Sequence, residues 1–542
     1  MKSVIRIFLA VTLPITSFAG VNLKNGNYYI SYTDIVVPGG GNDLEASRTY
    51  NSKSTEKGWF GFGWGSDFES FCVPGVDGSL TIHENGSGAM TRFTPKGEID
   101  AKAAAQKIVD AMRKKSALNE EVAKTMIDKL TKDAELRQAY SRKYDVATKL
   151  ATGTVLYSNE RGMQEVAVVK EGYKRTFSDG RVEIYNPECK IAQVKDKNGY
   201  HVELNYEAGV LASIKDSQAK QLFFSWYPDG KIKSAWSAGD KKAEYKYLND
   251  DLVESIDVAG NKYVYTYDSN HNMTSVGYSD GSKMKMSYSP KTQFCTEVVE
   301  KEGDITRYDY GSNPQNPDLH YWTTVSKLDS PEAKPSTSRY EYEIKIKPDG
   351  AQYTYRILTD INGIKTDTVY SECCSLPLKI TRGKEVTTFE YNKTGLLTKK
   401  TSTKGEFVQL EYHPEYNKIT KVVNNEGWTA FEYDTKANLS KATNHEGKSV
   451  LLIYDRNGRI TKMVDFDKNT NQKRSLDFKY NNMGKPVEIT MEKVGTINVA
   501  YDNYGEIKKV ESQSGPKMAL QVTQAFQSLL TIVKPAGVNL NM

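Results

Sequence analysis

The sequence has 542 residues, a formal net charge of +5 and a mean hydropathy of −0.60. Acidic and basic residues are interleaved, which is typical of a solvated surface and argues against a nucleic-acid partner. Tyrosine outnumbers phenylalanine by 35 to 17. Because tyrosine suits strands that bury a ring while its hydroxyl stays near water, we expect a β-rich protein.

The N-terminal residues have the pattern of a secretory signal. Lys2 and Arg6 give a positively charged start, a short apolar run follows, and Ser17 and Ala19 place small residues at a cleavage site. The apolar run is too short to span a membrane comfortably. We expect residues 1–19 to be a signal peptide. The mature protein would then be periplasmic, cell-surface or extracellular, with no membrane span after signal removal.

Residues 20–97 form a first module, in which glycine-containing turn signals separate short β-like runs. Its most distinctive stretch combines glycines with four aromatic residues, Trp59, Phe60, Phe62 and Trp64. These rings could form a binding platform. They could instead plug one end of the sheet that follows, with the glycines permitting close backbone approach. The sequence favours the plug and leaves the platform open.

Residues 98–152 break the β-like pattern, because Ala, Lys, Glu, Met and Leu dominate and glycine is absent. The composition predicts a helix over residues 103–115. Asn119 and Asp133 are predicted to be the N-caps of two further helices. This helical insertion is either a partner-docking element or lid, or a packed ornament on the β body, and the sequence does not separate the two.

Residues 153–515 carry a tyrosine about every 21 residues, usually just before a turn signal. A fixed period of this kind is the signature of a repeat architecture, in which each unit needs its neighbours to bury its apolar face. One gap of 60 residues is close to three periods, and the array is predicted to continue through it. The predicted structural tyrosines are Tyr206, Tyr227, Tyr247, Tyr267, Tyr288, Tyr310, Tyr370, Tyr391, Tyr412, Tyr433, Tyr454, Tyr480 and Tyr501.

A single repeat predicts two strands and a hairpin. A β-rich run ends at Tyr454-Asp455, and Asn457-Gly458 then offers the positive φ angles of a tight turn. Ile460 opens a second short strand. The period of about 21 residues therefore corresponds to one hairpin and one connecting turn.

The pattern Tyr-Asp-x-x-Gly-x-Ile in this register resembles the YD repeats of bacterial RHS proteins, and its closest copies begin at Tyr454 and Tyr501. The resemblance covers roughly residues 160–515, and the module before them is similar to the N-terminal domain of many RHS proteins. It implies a mainly β fold, with hairpins joined edge to edge into a spiralling sheet or partial hollow shell, here with a small helical insertion near the N-terminus. It also implies a protein cargo or a shell-completing partner.

The sequence departs from this family in one respect. Many RHS proteins end their repeats with a self-cleaving site around an Asp-Pro motif, followed by a toxin. No Asp-Pro dipeptide occurs here, and residues 516–542 form a short tail of helical composition. We therefore expect neither self-cleavage nor a fused toxin.

The sequence nominates no catalytic, cofactor-binding or metal-binding residue. The six histidines are scattered and none is paired at the spacing of helical metal ligands. Cys373 and Cys374 are adjacent and could form a vicinal disulfide, or they could be two small residues packed in a turn. Both alternatives stay open.

Two classes of function fit these observations. The leading hypothesis is an exported non-enzymatic YD-repeat scaffold or shell that encloses or binds another protein or ligand, which an aromatic-lined interior with a capped end would favour. The alternative is a cell-surface carbohydrate-binding or cell-contact protein, which an exposed aromatic strip would favour. A toxin-delivery component and a glycan-active enzyme rank lower, and the enzyme would need two carboxylates about 5–10 Å apart in a cleft.

Overall fold

The structure is a computed structural model of the chain. The residues it describes are 18–38, 43–84, 88–158, 162–237, 239, 241–372, 375–482, 484–501, 507–513, 515, 518, 520–522 and 524. The predicted signal peptide lies outside them, apart from its last two residues, which belong to the first strand. Within these ranges no helix has the length and apolar character needed to cross a membrane.

Three small antiparallel sheets make up the N-terminal module, with strand orders β1-β2-β3-β6, β4-β5 and β7-β8-β9. The strands of the module are β1 (Phe18–Asn22), β2 (Asn27–Val37), β3 (Leu44–Asn51), β4 (Lys57–Gly58), β5 (Gly61–Phe62), β6 (Trp64–Ser66), β7 (Phe71–Pro74), β8 (Leu80–His83) and β9 (Met90–Phe93).

Three helices follow, α1 (Ala101–Lys115), α2 (Glu120–Lys132) and α3 (Ala134–Tyr144). Asn119 and Asp133 are the N-caps of α2 and α3, as predicted, because their side chains accept hydrogen bonds from backbone N–H groups in the first turn. The helices pack around a small apolar core of their own, to which the N-terminal module contributes Val76.

The remaining strands form one antiparallel sheet of 33 strands in sequence order within the described chain, so the mainly β hairpin array predicted from the sequence is confirmed. Its first half comprises β10 (Val155–Ser158), β11 (Gln164–Val169), β12 (Gly172–Phe177), β13 (Val182–Tyr185), β14 (Ile191–Lys195), β15 (His201–Glu207), β16 (Val210–Asp216), β17 (Gln221–Trp226), β18 (Ile232–Trp236), β19 (Lys242–Leu248), β20 (Asp251–Ile256), β21 (Lys262–Tyr267), β22 (Met273–Gly277), β23 (Lys283–Tyr288), β24 (Cys295–Val299) and β25 (Ile305–Ser312). Its second half comprises β26 (His320–Leu328), β27 (Ser336–Ile346), β28 (Gln352–Ile361), β29 (Ile364–Tyr370), β30 (Pro377–Arg382), β31 (Glu385–Tyr391), β32 (Leu397–Ser402), β33 (Phe407–Tyr412), β34 (Ile419–Asn424), β35 (Gly427–Tyr433), β36 (Leu439–Asn444), β37 (Lys448–Tyr454), β38 (Ile460–Asp467), β39 (Gln472–Tyr480), β40 (Pro486–Met491), β41 (Gly495–Tyr501) and β42 (Ile507–Ser512).

The gap between the two tyrosine series differs from the prediction. It contains two hairpins with long strands, β26 to β29, rather than three ordinary periods. A register shift between Glu343 and Ile344 in β27 marks the intervening repeat, and Ile344 stands where the other repeats carry an aromatic residue. The repeat therefore continues through the gap without its tyrosine, and the spacing alone could not show this.

The sheet curls until late strands meet early ones. Lys197, in the turn between β14 and β15, donates from Nζ to the backbone carbonyl of Ala437, in the turn between β35 and β36, at 2.8 Å. The side chain of Asn198 lies against Gly458, where an added Cβ would be 2.6 Å from Nδ2. Residues more than 200 positions apart thus form a seam between successive turns of a spiral.

Two apolar cores lie on the face of the sheet that carries the repeat tyrosines, which we call the inner face. The N-terminal module packs against the inner face of β10–β24, burying Tyr28, Ile30 and Trp64. The second core covers β33–β41 and includes Met518 and Val522 from the tail. The inner face is therefore buried at β10–β24 and at β33–β41.

Candidate functional site

Most of the predicted tyrosines make the same type of hydrogen bond. In eleven of the thirteen, the hydroxyl donates to a backbone carbonyl at the start of the preceding strand, at 2.6–3.0 Å. The donors are Tyr206, Tyr247, Tyr267, Tyr288, Tyr310, Tyr391, Tyr412, Tyr433, Tyr454, Tyr480 and Tyr501.

A β-bulge explains why these carbonyls are available. In the hairpin of β35 and β36, the register shifts between Glu432 and Tyr433, which places Tyr433 opposite Leu439. The carbonyl of Leu439 then accepts from the hydroxyl of Tyr454 in the next repeat, at 2.8 Å. Each tyrosine therefore lies opposite a residue whose carbonyl accepts a hydrogen bond from the tyrosine of the next repeat. These bonds link successive hairpins along the sheet.

Two predicted tyrosines do not make this bond. In the hairpin of β17 and β18 the register shift precedes Trp226, whose Nε1 donates to the carbonyl of Leu211 at 2.7 Å. The hydroxyl of Tyr227 instead donates to the carbonyl of Tyr245. The prediction is therefore off by one residue here, because two aromatic residues are adjacent and spacing cannot choose between them. Tyr370 keeps the register shift, which places it opposite Pro377.

The protonation state of these tyrosines suits their role as donors. Burial raises the pKa of Tyr412 and Tyr433 to about 12. The hydroxyl groups therefore keep their protons at every ordinary pH, and the tyrosine-to-carbonyl bonds persist across that range.

All four aromatic residues of the predicted plug or platform contact the inner face of the array. Trp64 and Phe60 are buried, and the rings of Trp59 and Phe62 are partly buried. Trp64 donates from Nε1 to the hydroxyl of Tyr267 at 3.0 Å. The other three rings pack on Trp226, Tyr245 and His271, with ring centroids 4.3–5.7 Å apart.

Glycine makes this close approach feasible. Gly61 lies between two of these rings with φ at +97°, and a Cβ there would meet the backbone oxygen of Asp250 at 2.5 Å. The neighbouring N–H of Phe62 donates to that same oxygen at 2.8 Å. The glycine-rich stretch therefore brings the module's backbone into direct contact with β20.

Sequence reasoning missed a buried arginine at the centre of this contact. Arg48 is fully buried and pairs with Asp34 at 2.7 Å. Its guanidinium also donates to Ser255 and to the hydroxyl of Tyr265, and it lies 4.6 Å from the ring centroid of Trp64. The cluster joins the module to β20 and β21, and removing one partner would leave the other charge buried and unpaired.

The N-terminal module also contains a buried carboxyl group. Glu69 accepts from the backbone N–H of Trp59 at 2.8 Å, and its other oxygen is buried without a hydrogen-bond partner in the described chain. Burial raises the pKa of Glu69 to about 8. The module is therefore most stably packed at pH values at which the carboxyl group of Glu69 is protonated.

A disulfide ties the module to the first repeats. Cys72 in β7 is bonded to Cys189 in the turn between β13 and β14, across a sequence separation of 117. Sequence reasoning did not select this pair. The adjacent Cys373 and Cys374, which it did select, lie outside the described residues, and Cys295 is buried with a free thiol.

The inner face continues across the middle of the array through directly opposed residues, which share a face in antiparallel strands. From Tyr310 the register passes to Thr323, Tyr340, Thr359 and Thr366. No described residue of β28–β31 is buried. The N-terminal module reaches the start of β28, where Lys24 donates to the hydroxyl of Thr354, and the inner face beyond this contact is open. We call the inner face of these four strands the open wall.

The open wall combines apolar and hydroxyl-bearing side chains. Ile361 and Ile364 oppose each other across β28 and β29 and are 42% and 50% exposed. Next to them Thr359 opposes Thr366, and at the neighbouring strand pair Arg382 opposes Glu385. Nowhere in the described chain do three or more His, Cys, Asp or Glu side chains form a group that could hold a metal ion.

The fold defines a β-hairpin repeat protein with a plugged first turn and an uncovered wall. A family model for the RHS Repeat matches residues 248–283, and one for a Domain of unknown function (DUF6531) matches residues 19–93. The chain is an RHS/YD-repeat protein in the sense that its hairpin array carries these repeats, as the repeat pattern predicted.

Curated relatives include the tRNA3(Ser)-specific nuclease WapA of Bacillus spizizenii and the tRNA nuclease WapA of Bacillus subtilis, each 22% identical over 293 residues. The match covers 52% of this chain and only 12% of the length of each relative. Among solved structures, the Tc holotoxin pore of Photorhabdus luminescens is 10% identical with a TM-score of 0.39, over 89% of this chain and 29% of that chain. A structure of TcdB2-TccC3 is 9% identical with a TM-score of 0.39, over 96% and 36%.

Proposed function

We propose that the protein is an exported, non-enzymatic scaffold that holds another polypeptide against its open wall. The observation that carries this proposal is the contrast in burial along the inner face of the sheet. The N-terminal module covers β10–β24 and the tail contacts β33–β41, whereas β28–β31 between them bury nothing. A soluble protein rarely leaves such a surface with exposed large apolar residues unless something binds there.

The chemistry of the open wall suits a polypeptide. Isoleucine side chains at Ile361 and Ile364 provide apolar contact, and the hydroxyl groups of Thr359 and Thr366 can pair with backbone N–H and C=O groups. The one opposed charge pair, Arg382 and Glu385, cancels in net charge. A surface that combines apolar, hydroxyl and neutralised charged groups suits a polypeptide, which presents apolar side chains together with a polar backbone. It suits a highly charged ligand less well.

The proposal assigns no enzyme activity to this chain. The WapA relatives are named as tRNA nucleases, but the match covers 12% of their length. We expect purified protein to leave tRNA intact after prolonged incubation with magnesium ions. Hydrolysis that co-purifies with the protein through two chromatographic steps would overturn the non-enzymatic assignment.

A paired crosslinking experiment tests the scaffold. Thr366 and Lys365 are neighbours in β29 that point to opposite faces, Thr366 to the open wall and Lys365 away from it. A photo-crosslinking amino acid is placed at each position in turn, and the protein is irradiated in its native host. We expect a covalent adduct with a second polypeptide from position 366 and none from position 365.

A charge-inserting variant completes the test. Ile364→Arg puts a guanidinium on the open wall and should abolish the adduct from position 366. Lys365→Gln changes charge on the opposite face and should leave it unchanged. Equal adducts from both faces, or no adduct from position 366 under conditions in which the protein is exported, would contradict the proposal.

A further inference from the structure

The two edges of the 33-strand sheet differ in how they are paired. At the first edge, Tyr157 in β10 exchanges two backbone hydrogen bonds with Thr94, which follows β9, at 2.8 and 2.9 Å. At the last edge, β42 pairs with β41 alone among the described strands. Every residue of β42 is exposed, including Val510 at 54%. Backbone N–H and C=O groups along the free side of β42 are therefore available to another strand.

The side chains of β42 place both signs of charge on one face. Lysine on an edge strand often discourages pairing, and β42 contains Lys508 and Lys509. Glu511, however, lies two residues after Lys509 and forms an exposed ion pair with it at 2.6 Å. The register with β41 places Val510 opposite the buried Val499, and hence on the inner face. Lys509 and Glu511 flank Val510 and therefore share the outer face.

The charges of β42 select one register for pairing with a second copy of the same strand. Opposed residues of an antiparallel pair share a face, so the two-fold axis passes beside a residue that faces its own copy. An axis at Lys509 would oppose two ammonium groups, and an axis at Glu511 would oppose two carboxylates. An axis at Val510 opposes two valines on the inner face. It also places each Lys509 opposite the Glu511 of the second copy on the outer face, where opposite charges stabilise the pairing.

This complementarity identifies the partner as a second copy of the chain. We propose that the protein forms a two-fold symmetric dimer through antiparallel pairing of β42 with β42 of the second copy, centred on Val510. The dimer joins two hairpin arrays into one continuous sheet, whose inner faces lie on the same side. The inference goes beyond the proposed function, because it concerns the last edge of the sheet and leaves the open wall at β28–β31 uninvolved.

The dimer is weak, because the contact is short. Backbone pairing over residues 508–512 buries less surface than the roughly 1,200 Å² at which specific stable interfaces begin. Monomer and dimer should therefore exchange, and the dimer fraction should rise with protein concentration through the micromolar to millimolar range.

Charge-reversal variants of the exported protein test the register, with sedimentation velocity over a concentration series as the readout. Lys509→Glu and Glu511→Lys each oppose like charges in the dimer, so each should associate several-fold more weakly than the wild type. An equimolar mixture of the two variants should associate again, because their charges complement each other across a mixed dimer. The double variant should also dimerise. Both positions are exposed, so folding should be preserved.

Glu432→Lys is the matched control. It makes the same charge change at an exposed residue of β35, which is paired on both sides within the sheet. We expect this control to associate as the wild type does.

Hydrogen exchange provides a second readout that does not depend on the variants. Raising the protein concentration should slow amide exchange in β42 and leave exchange in β28–β31 unchanged. A protein that stays monomeric throughout the concentration series would overturn the proposal. So would a dimer that both single variants retain, or a mixture of the two variants that associates no better than either variant alone.

Discussion

The tyrosine-to-carbonyl bonds predict that two equivalent tyrosines differ in their contribution to stability. Tyr433 makes one such bond, to the carbonyl of Ile419 at 2.7 Å. Tyr267 makes the same bond to Leu252 at 2.8 Å, and its hydroxyl also accepts from Nε1 of Trp64 at 3.0 Å. Tyr267→Phe should therefore destabilise the protein more than Tyr433→Phe, although the substitution and the position in the repeat are identical.

The expected magnitudes follow from the groups left unpaired. Tyr433→Phe leaves one carbonyl without its donor at a half-buried site, which costs about 1 kcal/mol. Tyr267→Phe leaves a carbonyl and the indole N–H of the fully buried Trp64, for a combined cost of roughly 2–4 kcal/mol. Tyr267→Ala also removes the ring from the core, and its cost should lie at roughly 3–5 kcal/mol.

Urea unfolding measures the global effect, and native-state hydrogen exchange measures the local one, because a repeat array need not unfold in a single step. Exchange should accelerate in β20–β22 for the Tyr267 variant and in β34–β36 for the Tyr433 variant. Equal losses of stability in the two variants would refute the reasoning. So would a Tyr267→Phe protein within about 0.5 kcal/mol of the wild type, the usual range of a neutral surface change.

Four further predictions test other parts of the structure. Cys72→Ser should lower the free energy of unfolding by about 2–5 kcal/mol, and a reductant should reproduce the loss in the wild type while leaving the variant unchanged. Because the pKa of Glu69 is raised to about 8, wild-type stability should fall as the pH rises from about 4.5 through about 8, and Glu69→Gln should abolish this dependence in unfolding curves. N-terminal sequencing of exported protein should begin at Gly20, and a chain that begins at Met1 would contradict the signal peptide. Replacing residues 99–150 by a short Gly/Ser bridge should preserve the β circular dichroism, because the helices have their own core, and loss of all cooperative unfolding would contradict it.

The helical insertion shows what a sequence pattern leaves out. Its caps were predictable, because capping depends on residues within one turn. Its attachment was not, because Arg137 donates to the carbonyl of Asp349, in the turn between β27 and β28, and to the carboxylate of Asp77. These partners are 212 and 60 positions away, and only the curl of the sheet brings them together. The insertion is therefore a docked element of the spiral.

The candidate sites escaped prediction for the same reason. The period identifies the inner face, since each tyrosine shares a face of the sheet with the residues two positions away along its strand. It does not show which part of that face is covered, because coverage depends on how far the N-terminal module reaches. Likewise, Phe177 and Tyr416 are unremarkable in the sequence, and they form one groove only because the spiral closes.

The irregular step in the tyrosine series shows why the repeat tolerates variation. Tyr454 and Tyr480 are 26 residues apart, yet the hydroxyl of Tyr480 still reaches the carbonyl of Ile460 at 2.6 Å. The additional residues lengthen β38 and β39 at the opposite rim, where Asn469 donates to the carbonyl of Glu446 in the neighbouring turn. The bulge and the tyrosine thus fix the strand register at the rim that carries the tyrosines. The lengths of the strands and turns at the opposite rim can vary. Because extra residues are accommodated by both paired strands, the inner and outer faces are preserved. A hairpin array with its register fixed in this way can lengthen strands and turns at one rim, and Lys197 and Asn198 use that rim to contact the next turn of the spiral.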